Sequence, residues 1–211
     1  MNADPQGASF VLIPGAGGMA WYWHRVVRLL EQAHREAIAV DLPGDDESAG
    51  LGDYAEIVVR AIGQRANVIL VAQSLGGFTA PLVCARAAVR TLVFVNAMIP
   101  RPGETAGAWW ENTGAVQARM AAAKSGGYST EFDVPIYFLH DVPDAVLREG
   151  PAHQREQAQI VFKEPCRFQR WPQVPTHVLA STDDRFFRSS SKDVSPGREW
   201  TRMWKSFLEG T

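Results

Sequence analysis

The chain has 211 residues, of which 46% are hydrophobic and 21% are charged, and its formal net charge is −2. This length suffices for one domain with a sizeable core and is short for two. The balance of apolar and charged residues excludes a disordered protein, and the small net charge argues against a nucleic-acid binder that tracks phosphates.

The N-terminus and the cysteines indicate the expected surroundings of the protein. Residues 1–9 carry neither the basic start nor the apolar stretch of a secretion signal, and no apolar run reaches the roughly 20 residues of a membrane helix. Cys84 and Cys166 lie far apart and form no Cys-x-x-Cys pair, which favours neither a disulfide framework nor a zinc site. We therefore expect a cytoplasmic protein with no metal and with no membrane or nucleic-acid partner.

The first half of the chain alternates between short buried strands and amphipathic helices, which predicts an α/β fold with a mostly parallel sheet and flanking helices. A capping box formed by Asp53 and Glu56 is expected to start the second helix, and Pro81 is expected on the exposed side of the third helix or at a bend in it. Strands are predicted at Phe10–Ile13, Ala37–Val40, Val68–Ala72 and Thr91–Val95, and helices at Ala20–Gln32, from Asp53 to about Gln64 and at Leu75–Ala88.

A different pattern follows from about residue 100 to residue 175, where aromatic residues are scattered among helical stretches and Gly-Gly or Pro breaks. This pattern predicts a helical insertion. A further strand is predicted at Thr176–Ala180, and Asp183 and Asp184 follow it. Beyond Arg188 no strand pattern is convincing.

Ser74 lies between a buried strand and a helix, with the small residues Ala72 two positions before it and Gly76 two positions after it. This is the arrangement of a nucleophile elbow, where the turn is so tight that larger side chains would collide with the strand and the helix. The alternative interpretation is a serine that only caps the helix.

A serine nucleophile needs donors for the oxyanion, and the backbone N–H of Leu75 is the first candidate. The loop Pro14–Gly18 offers the second, with Ala16 as its expected donor. The same loop also fits a loose dinucleotide-binding pattern, Gly15-x-Gly17-x-x-Ala20, with Asp41 ending the next strand. The bulky run at residues 21–23 and the lack of a Tyr-x-x-x-Lys pair favour a chain without a cofactor.

These segments resemble the α/β-hydrolase superfamily, and within it the bacterial relatives of the plant methylesterase and hydroxynitrile lyase group. The likeness runs from about residue 9 to residue 187. The group usually has His-Gly where this chain has Pro14-Gly15, and Gly-His-Ser or Gly-x-Ser where it has Ala72-Gln73-Ser74. The similar segments are 10–18 with Trp21 and Trp23, then 39–44, 71–77, 93–100 and 183–187.

The resemblance implies one α/β-hydrolase domain over residues 1–211, with a helical cap at about 100–175. It implies cofactor-independent cleavage of a small apolar ester through an acyl-enzyme at Ser74, with Asp184 as the acid of the triad and Asp183 as its alternate. A hydroxynitrile lyase type of C–C cleavage and a non-catalytic ligand-binding homologue are the alternatives. The candidates for the substrate pocket are the cap residues Trp109, Trp110, Phe138 and His140.

The histidine of the triad is missing from its expected place. In the group it follows the acid, whereas the five histidines of this chain, at positions 24, 34, 140, 153 and 177, all precede Asp184. We therefore expect an impaired enzyme whose last strand and helix are missing or replaced. We hypothesise a one-base deletion near Phe187, because synonymous codons in the alternate frame permit a strand followed by Pro-Gly-Gly-His.

Overall fold

The computed structural model describes residues 7–181 and 183–186. The tail to which the frameshift hypothesis applies, from Phe187 onward, lies outside these residues. The chain divides into two compact units, and each is described here by itself. The first comprises Met1–Trp109 and Arg148–Leu179, and the second comprises Trp110–Leu147 and Ala180–Thr211.

The first unit contains a five-stranded sheet in the order β2-β1-β3-β4-β5, and each pair of neighbouring strands is parallel. The predicted α/β class with a mostly parallel sheet is therefore confirmed. The strands are β1 at Ser9–Ile13, β2 at Glu36–Ala39, β3 at Val68–Gln73, β4 at Val89–Val95 and β5 at Thr176–Leu179.

The helices flank and follow these strands, and two of them, α4 and α7, cross the boundary between the units. Short 3-10 turns at Ala20–Trp23 and Gly150–His153 complete the regular structure of the described residues. The helices are α1 at His24–Gln32, α2 at Leu51–Ile62, α3 at Gly76–Cys84, α4 at Ala106–Thr113, α5 at Ala115–Gly126, α6 at Val134–Phe138, α7 at Asp144–Glu149 and α8 at Ile160–Lys163.

Two expectations about the helices are wrong in detail. Helix α2 begins at Leu51, so Asp53 is its third residue and accepts a hydrogen bond from the N–H of Gly50 (2.9 Å) instead of capping the helix itself. Pro81 is buried within α3, so of the two alternatives given for it the exposed side is wrong. It is buried because α3 is apolar around its whole circumference and is covered on every side.

The core of the first unit is centred on β1 and β3, the inner strands of the sheet. Val11 and Leu70 are fully buried, as expected of strands that carry cover on both faces. On one face, Leu12 and Val71 pack with Trp23 from the first 3-10 turn.

The strand order places the ends of β1 and β3 side by side. The chain passes from β1 to β2 on one side and then crosses to β3 on the other, so β1 and β3 flank a topological switch point. Their register pairs Ile13 with Ala72 at the carboxyl ends. Ligands of open α/β sheets bind in the crevice outside such a point, so the loop after β1 and the turn after β3 form the first place to look for a site.

Candidate active site

Ser74 connects β3 to α3 with a strained backbone. Its φ is +50°, in the left-handed region that non-glycine residues seldom adopt and that clusters at functional sites. The Ser74 N–H donates to the carbonyl of Val95 (3.3 Å), and the Ser74 carbonyl accepts from the N–H groups of Gly77 and Met98, both at 3.0 Å. The turn is therefore held in place by its backbone, which leaves the hydroxyl outside these contacts.

The small residues around Ser74 have a steric cause, as the elbow pattern predicts. A Cβ atom added to Gly76 would lie 2.6 Å from the carbonyl oxygen of Pro14, and one added to Gly77 would lie 2.0 Å from the carbonyl oxygen of Met98. Ala72 is fully buried. Ala72 and Gly76 belong to the predicted pattern, whereas Gly77, where an added Cβ atom has the least room, was not predicted.

The glycine loop Pro14–Gly18 lies directly against the elbow. A Cβ atom on Gly15 would come within 2.8 Å of the Ser74 Cβ, so the backbone of this loop is in contact with the serine. Gly17 and Gly18 have φ angles of +83° and +70°, which bulkier residues adopt at a cost. The loop therefore needs glycine at position 15 because the serine is so close, and at positions 17 and 18 because their φ angles are positive.

Two backbone donors beside Ser74 have no partner within residues 7–181 and 183–186. The N–H groups of Ala16 and Leu75 donate to no described residue, although the amides around them do. Backbone N–H groups that point at one place in an enclosed site can stabilise a developing oxyanion. These are the two donors that the sequence analysis named.

The two candidate acids belong to the second unit and differ in their contacts. Asp184 accepts a hydrogen bond from the N–H of Phe186 through Oδ1 (2.7 Å). Asp183 is 68% exposed, and its Oδ2 lies 3.6 Å from the Nε2 atom of His140. Both ring nitrogens of His140 are buried and have no hydrogen-bond partner in the described part of the chain. Asp183 therefore places a carboxylate close to a buried imidazole without forming a hydrogen bond to it.

The candidate pocket residues have different surroundings. In the second unit, the ring of Phe186 contacts the rings of Trp110 (5.4 Å between centroids) and Phe138 (4.6 Å). Trp109, in the first unit, is 2% exposed, and its indole N–H donates to the carbonyl of Ile99 (3.1 Å). The structure thus brings Trp110 and Phe138 together around Phe186, and it uses Trp109 in packing.

Two glutamines that were not predicted from the sequence bind the glycine loop. Oε1 of Gln73 accepts the N–H of Gly15, and Oε1 of Gln157 accepts the N–H of Gly17, both at 2.9 Å. Gln73 could have been predicted, because it directly precedes the proposed nucleophile in the sequence. Gln157 is separated from the loop by 140 residues, and no sequence pattern marks it.

Asp41, the acid of the rival dinucleotide interpretation, has contacts within the chain. Oδ1 accepts the N–H of Ala20 (3.0 Å), and Oδ2 lies 3.0 Å from Nη2 of Arg155. These contacts give Asp41 a structural role in the first unit. Across the described ranges, no group of three or more His, Cys, Asp or Glu residues is arranged to hold a metal ion, and no described helix has the length and apolar character needed to cross a bilayer.

Residues 10–209 of the chain match the model of a protein family described as the alpha/beta hydrolase family. The probable esterase PIR7A of Oryza sativa subsp. indica is 33% identical over 113 residues, which are 48% of this chain and 43% of that protein. Methyl jasmonate esterase 1 of Vitis vinifera is 33% identical over 105 residues, which are 44% and 40% of the two chains. The chain thus spans about two fifths of the length of the curated relatives it matches.

Solved structures are similar over nearly the whole chain. Polyneuridine aldehyde esterase superposes with a TM-score of 0.68 over 96% of this chain and 86% of its own, at 18% identity. Identity this low shows a shared fold and does not extend to the reaction. The family match also runs past Phe187, where the resemblance in the sequence analysis ended.

Proposed function

The chain belongs to the alpha/beta hydrolase family, and we propose that it is a cofactor-independent serine hydrolase that cleaves a small apolar ester through an acyl-enzyme. Ser74 is the nucleophile and forms the acyl-enzyme. The N–H groups of Ala16 and Leu75 hold the oxyanion, and Asp184 is the acid. The esterase names of the curated relatives agree with an ester substrate.

The observation that carries this proposal is the backbone of Ser74. A serine at φ +50° between a buried strand and a buried helix costs stability that a helix cap does not require. The N–H groups of Ala16, in the loop that contacts Ser74, and of Leu75, the next residue in the chain, have no partner among the described residues. A capping serine would explain neither the strain nor the donors.

The base is the missing part of the proposal. All five histidines precede Asp184 in the sequence, whereas the chain order of this fold is serine, acid, histidine. We therefore propose that this chain is weak as an esterase. Loss of a triad member still leaves a residual rate of about 10³- to 10⁴-fold over water from the oxyanion donors and binding.

The test compares this chain with Ser74→Ala and Ser125→Ala, since Ser125 is an exposed serine of α5 and a matched control. Hydrolysis of p-nitrophenyl acetate and stoichiometric labelling by a fluorophosphonate are measured, and the labelled residue is identified by mass spectrometry. We expect slow turnover and labelling at Ser74, both lost in Ser74→Ala and kept in Ser125→Ala. Equal labelling of all three proteins would contradict the assignment.

Three other outcomes separate the alternatives. Turnover at an ordinary esterase rate that depends on Ser74 would show that one of the five histidines acts as the base, and variants of His140 and His153 would identify it. Saturable binding of a small aromatic ester with no labelling of Ser74 would favour a non-catalytic binding protein, for which the position of the histidines is the supporting observation. Cyanide release from a cyanohydrin would instead indicate the lyase reaction.

The frameshift hypothesis has a direct test. The coding DNA is read from the codon of Asp184 to a point past the stop. An alternate frame that spells Pro-Gly-Gly-His and stays open would support a lost base, and a frame without that histidine codon would refute the hypothesis.

A further inference from the structure

In the loop Pro14–Gly18, every backbone N–H group except that of Ala16 donates a hydrogen bond within the described residues. Pro14 has no N–H group, and the N–H of Gly15 donates to Oε1 of Gln73. The N–H of Gly17 donates to Oε1 of Gln157, and the N–H of Gly18 donates to the carbonyl of Gly15 (3.1 Å). Among the amides of this loop, only that of Ala16 is left for a ligand.

These bonds fix three successive peptide planes. The plane that contains the Ala16 N–H also contains the Gly15 carbonyl, which accepts from Gly18. The plane before it is held by Gln73, and the plane after it is held by Gln157. Neighbouring planes share a Cα atom, so hydrogen bonds that hold both flanking planes restrict the φ and ψ angles open to the plane of the Ala16 N–H.

Gln157 ties the loop to a second loop as well. Its Nε2 donates to the carbonyl of Gly44 (2.9 Å) and to the hydroxyl oxygen of Tyr54 (3.2 Å), so both ends of its amide are bonded. Tyr54 is 3% exposed, and burial raises the pKa of its phenol, which keeps the hydroxyl protonated. Gln157 therefore crosslinks the glycine loop, the loop after β2 and helix α2.

The segment that carries Gln157 is itself anchored at several points. The N–H of Ala158 donates to the carbonyl of Gly44 (2.7 Å). Arg155 donates to the carbonyl of Leu42 and pairs with Asp41 at 3.0 Å. A rigid mounting of this kind allows a side chain to set the geometry of its partner instead of following it.

The contact between the two loops leaves no room for adjustment. A Cβ atom on Gly44 would lie 2.3 Å from the carbonyl oxygen of Gly17, and one on Gly17 would lie 2.6 Å from the carbonyl oxygen of Arg155. The backbones meet directly at these points. The orientation of the loop therefore depends on backbone contacts and on the glutamine amide that joins them.

We propose that Gln157 is a positioning residue for catalysis: through the Gly17 N–H it fixes the direction of the Ala16 N–H that receives the oxyanion. Gln157 does not touch the substrate in this role. The proposal rests on the proposed function, since it presumes that an oxyanion forms at Ser74. It adds a residue from the segment between α7 and α8 to the machinery of the first unit.

The experiment uses Gln157→Met, which keeps the side-chain length and removes every hydrogen bond of the side-chain amide, and Gln157→Glu, which keeps the acceptor for Gly17 and removes the donor. Gln159→Ala is the matched control. Gln159 is an exposed glutamine of the same segment, and its side chain forms no N-cap hydrogen bond to helix α8. Amide hydrogen exchange of Gly17 is measured by NMR, and kcat and KM are measured for an oxoester and the corresponding thionoester. The thionoester places sulfur, a poor hydrogen-bond acceptor, where the oxyanion would form.

We expect Gln157→Met to exchange the Gly17 amide about tenfold faster or more. We expect its kcat for the oxoester to fall by roughly 10- to 100-fold, less than or equal to the loss on removing a donor outright, with KM nearly unchanged. The thionoester rate should fall much less. Gln157→Glu should retain slow exchange at Gly17, and Gln159→Ala should match the unaltered chain in every measurement.

Unchanged exchange at Gly17 in Gln157→Met would overturn the proposal whatever the activity. Faster exchange with equal losses for both esters would also overturn it, since it would show a bond that holds the loop but does not orient the oxyanion donor. If the unaltered chain shows no turnover that depends on Ser74, the proposed function fails and the catalytic role of Gln157 fails with it. The exchange result then still distinguishes that failure from an error in the loop contacts.

Discussion

The tightest contact at the elbow gives a quantitative prediction for Gly77→Ala. A Cβ atom at this position would lie 2.0 Å from the carbonyl oxygen of Met98 and 2.9 Å from its carbonyl carbon. Real Cβ atoms essentially never approach closer than 3.0 Å, so the start of α3 and the chain at Met98 must separate by about 1 Å. Neither neighbour is the flexible end of a side chain, and the strain therefore falls on backbone.

Three terms set the size of the effect. Alanine in place of glycine within a helix gains about 0.8–1 kcal/mol. Overpacking costs about 1–3 kcal/mol. The Ser74 carbonyl accepts from both Gly77 and Met98, so separating them weakens one bond or both at about 1 kcal/mol each. The net destabilisation is about 2 kcal/mol, which corresponds to a fall in Tm of roughly 4–8 °C in a chain of this size.

The assay is thermal unfolding followed by circular dichroism, with Gly52→Ala as the matched control. Gly52 lies in helix α2, and an added Cβ atom there meets nothing within 4 Å. This variant receives the gain of helix propensity without the collision, so its Tm should stay level or rise by up to about 4 °C. A Gly77→Ala protein as stable as the unaltered chain would refute the close packing of the elbow.

Three further predictions concern backbone strain, an ion pair and the thiols. Ser74→Gly should be about 0.5–1 kcal/mol more stable than Ser74→Ala in urea unfolding, because only alanine retains the strain of a positive φ; the reverse order would contradict that backbone. Hydrogen bonds from Arg65, and then from Ser9, lower the pKa of Glu36 to about 2. Glu36→Gln should therefore cost up to about 1 kcal/mol at pH 7, since the pair is half-exposed. Its cost should shrink as pH falls from about 4.5 towards 2, and a cost that is constant with pH would exclude this pair as its source. Burial raises the pKa of both cysteine thiols to about 12. Iodoacetamide at pH 8 should therefore modify the fully buried Cys166 more than about 100-fold faster in urea than in the native protein, and equal rates would refute its burial.

The sheet was predictable because each strand is marked by residues that are neighbours in the sequence. Buried strands such as Val68–Gln73 are continuous apolar runs with breakers at both ends, and alternation with helices specifies parallel pairing. Ser74 was predictable for the same reason, since the strand, the serine and the small residues are neighbours in sequence. Helix starts were less accurate. The capping box predicted from Asp53 and Glu56 starts α2 too late, because Asp53 lies within the helix and accepts the N–H of Gly50.

The contacts that complete the site could not be predicted because they connect distant parts of the chain. Gln157 lies in a segment without strong periodicity, and its role depends on Gly17 and Gly44, which approach each other backbone to backbone. Asp41 shows the converse error: an acidic residue at a strand end fits a ribose contact in sequence, yet in the fold it binds Ala20 and Arg155. Motifs state which residues are near in the chain, whereas these roles depend on nearness in space.

The departures of this sequence from its family have unequal consequences under the proposed assignment. The residues Pro14, Ala72 and Gln73 differ from the group, but the oxyanion donors are backbone N–H groups, so a change of side chain leaves them in place. Gln73 even contributes an acceptor that fixes Gly15. No backbone group can replace an imidazole, because general-base catalysis needs a side chain with a pKa near the working pH. Stabilisation of the oxyanion by backbone N–H groups therefore tolerates these side-chain substitutions, whereas proton transfer depends on a single histidine.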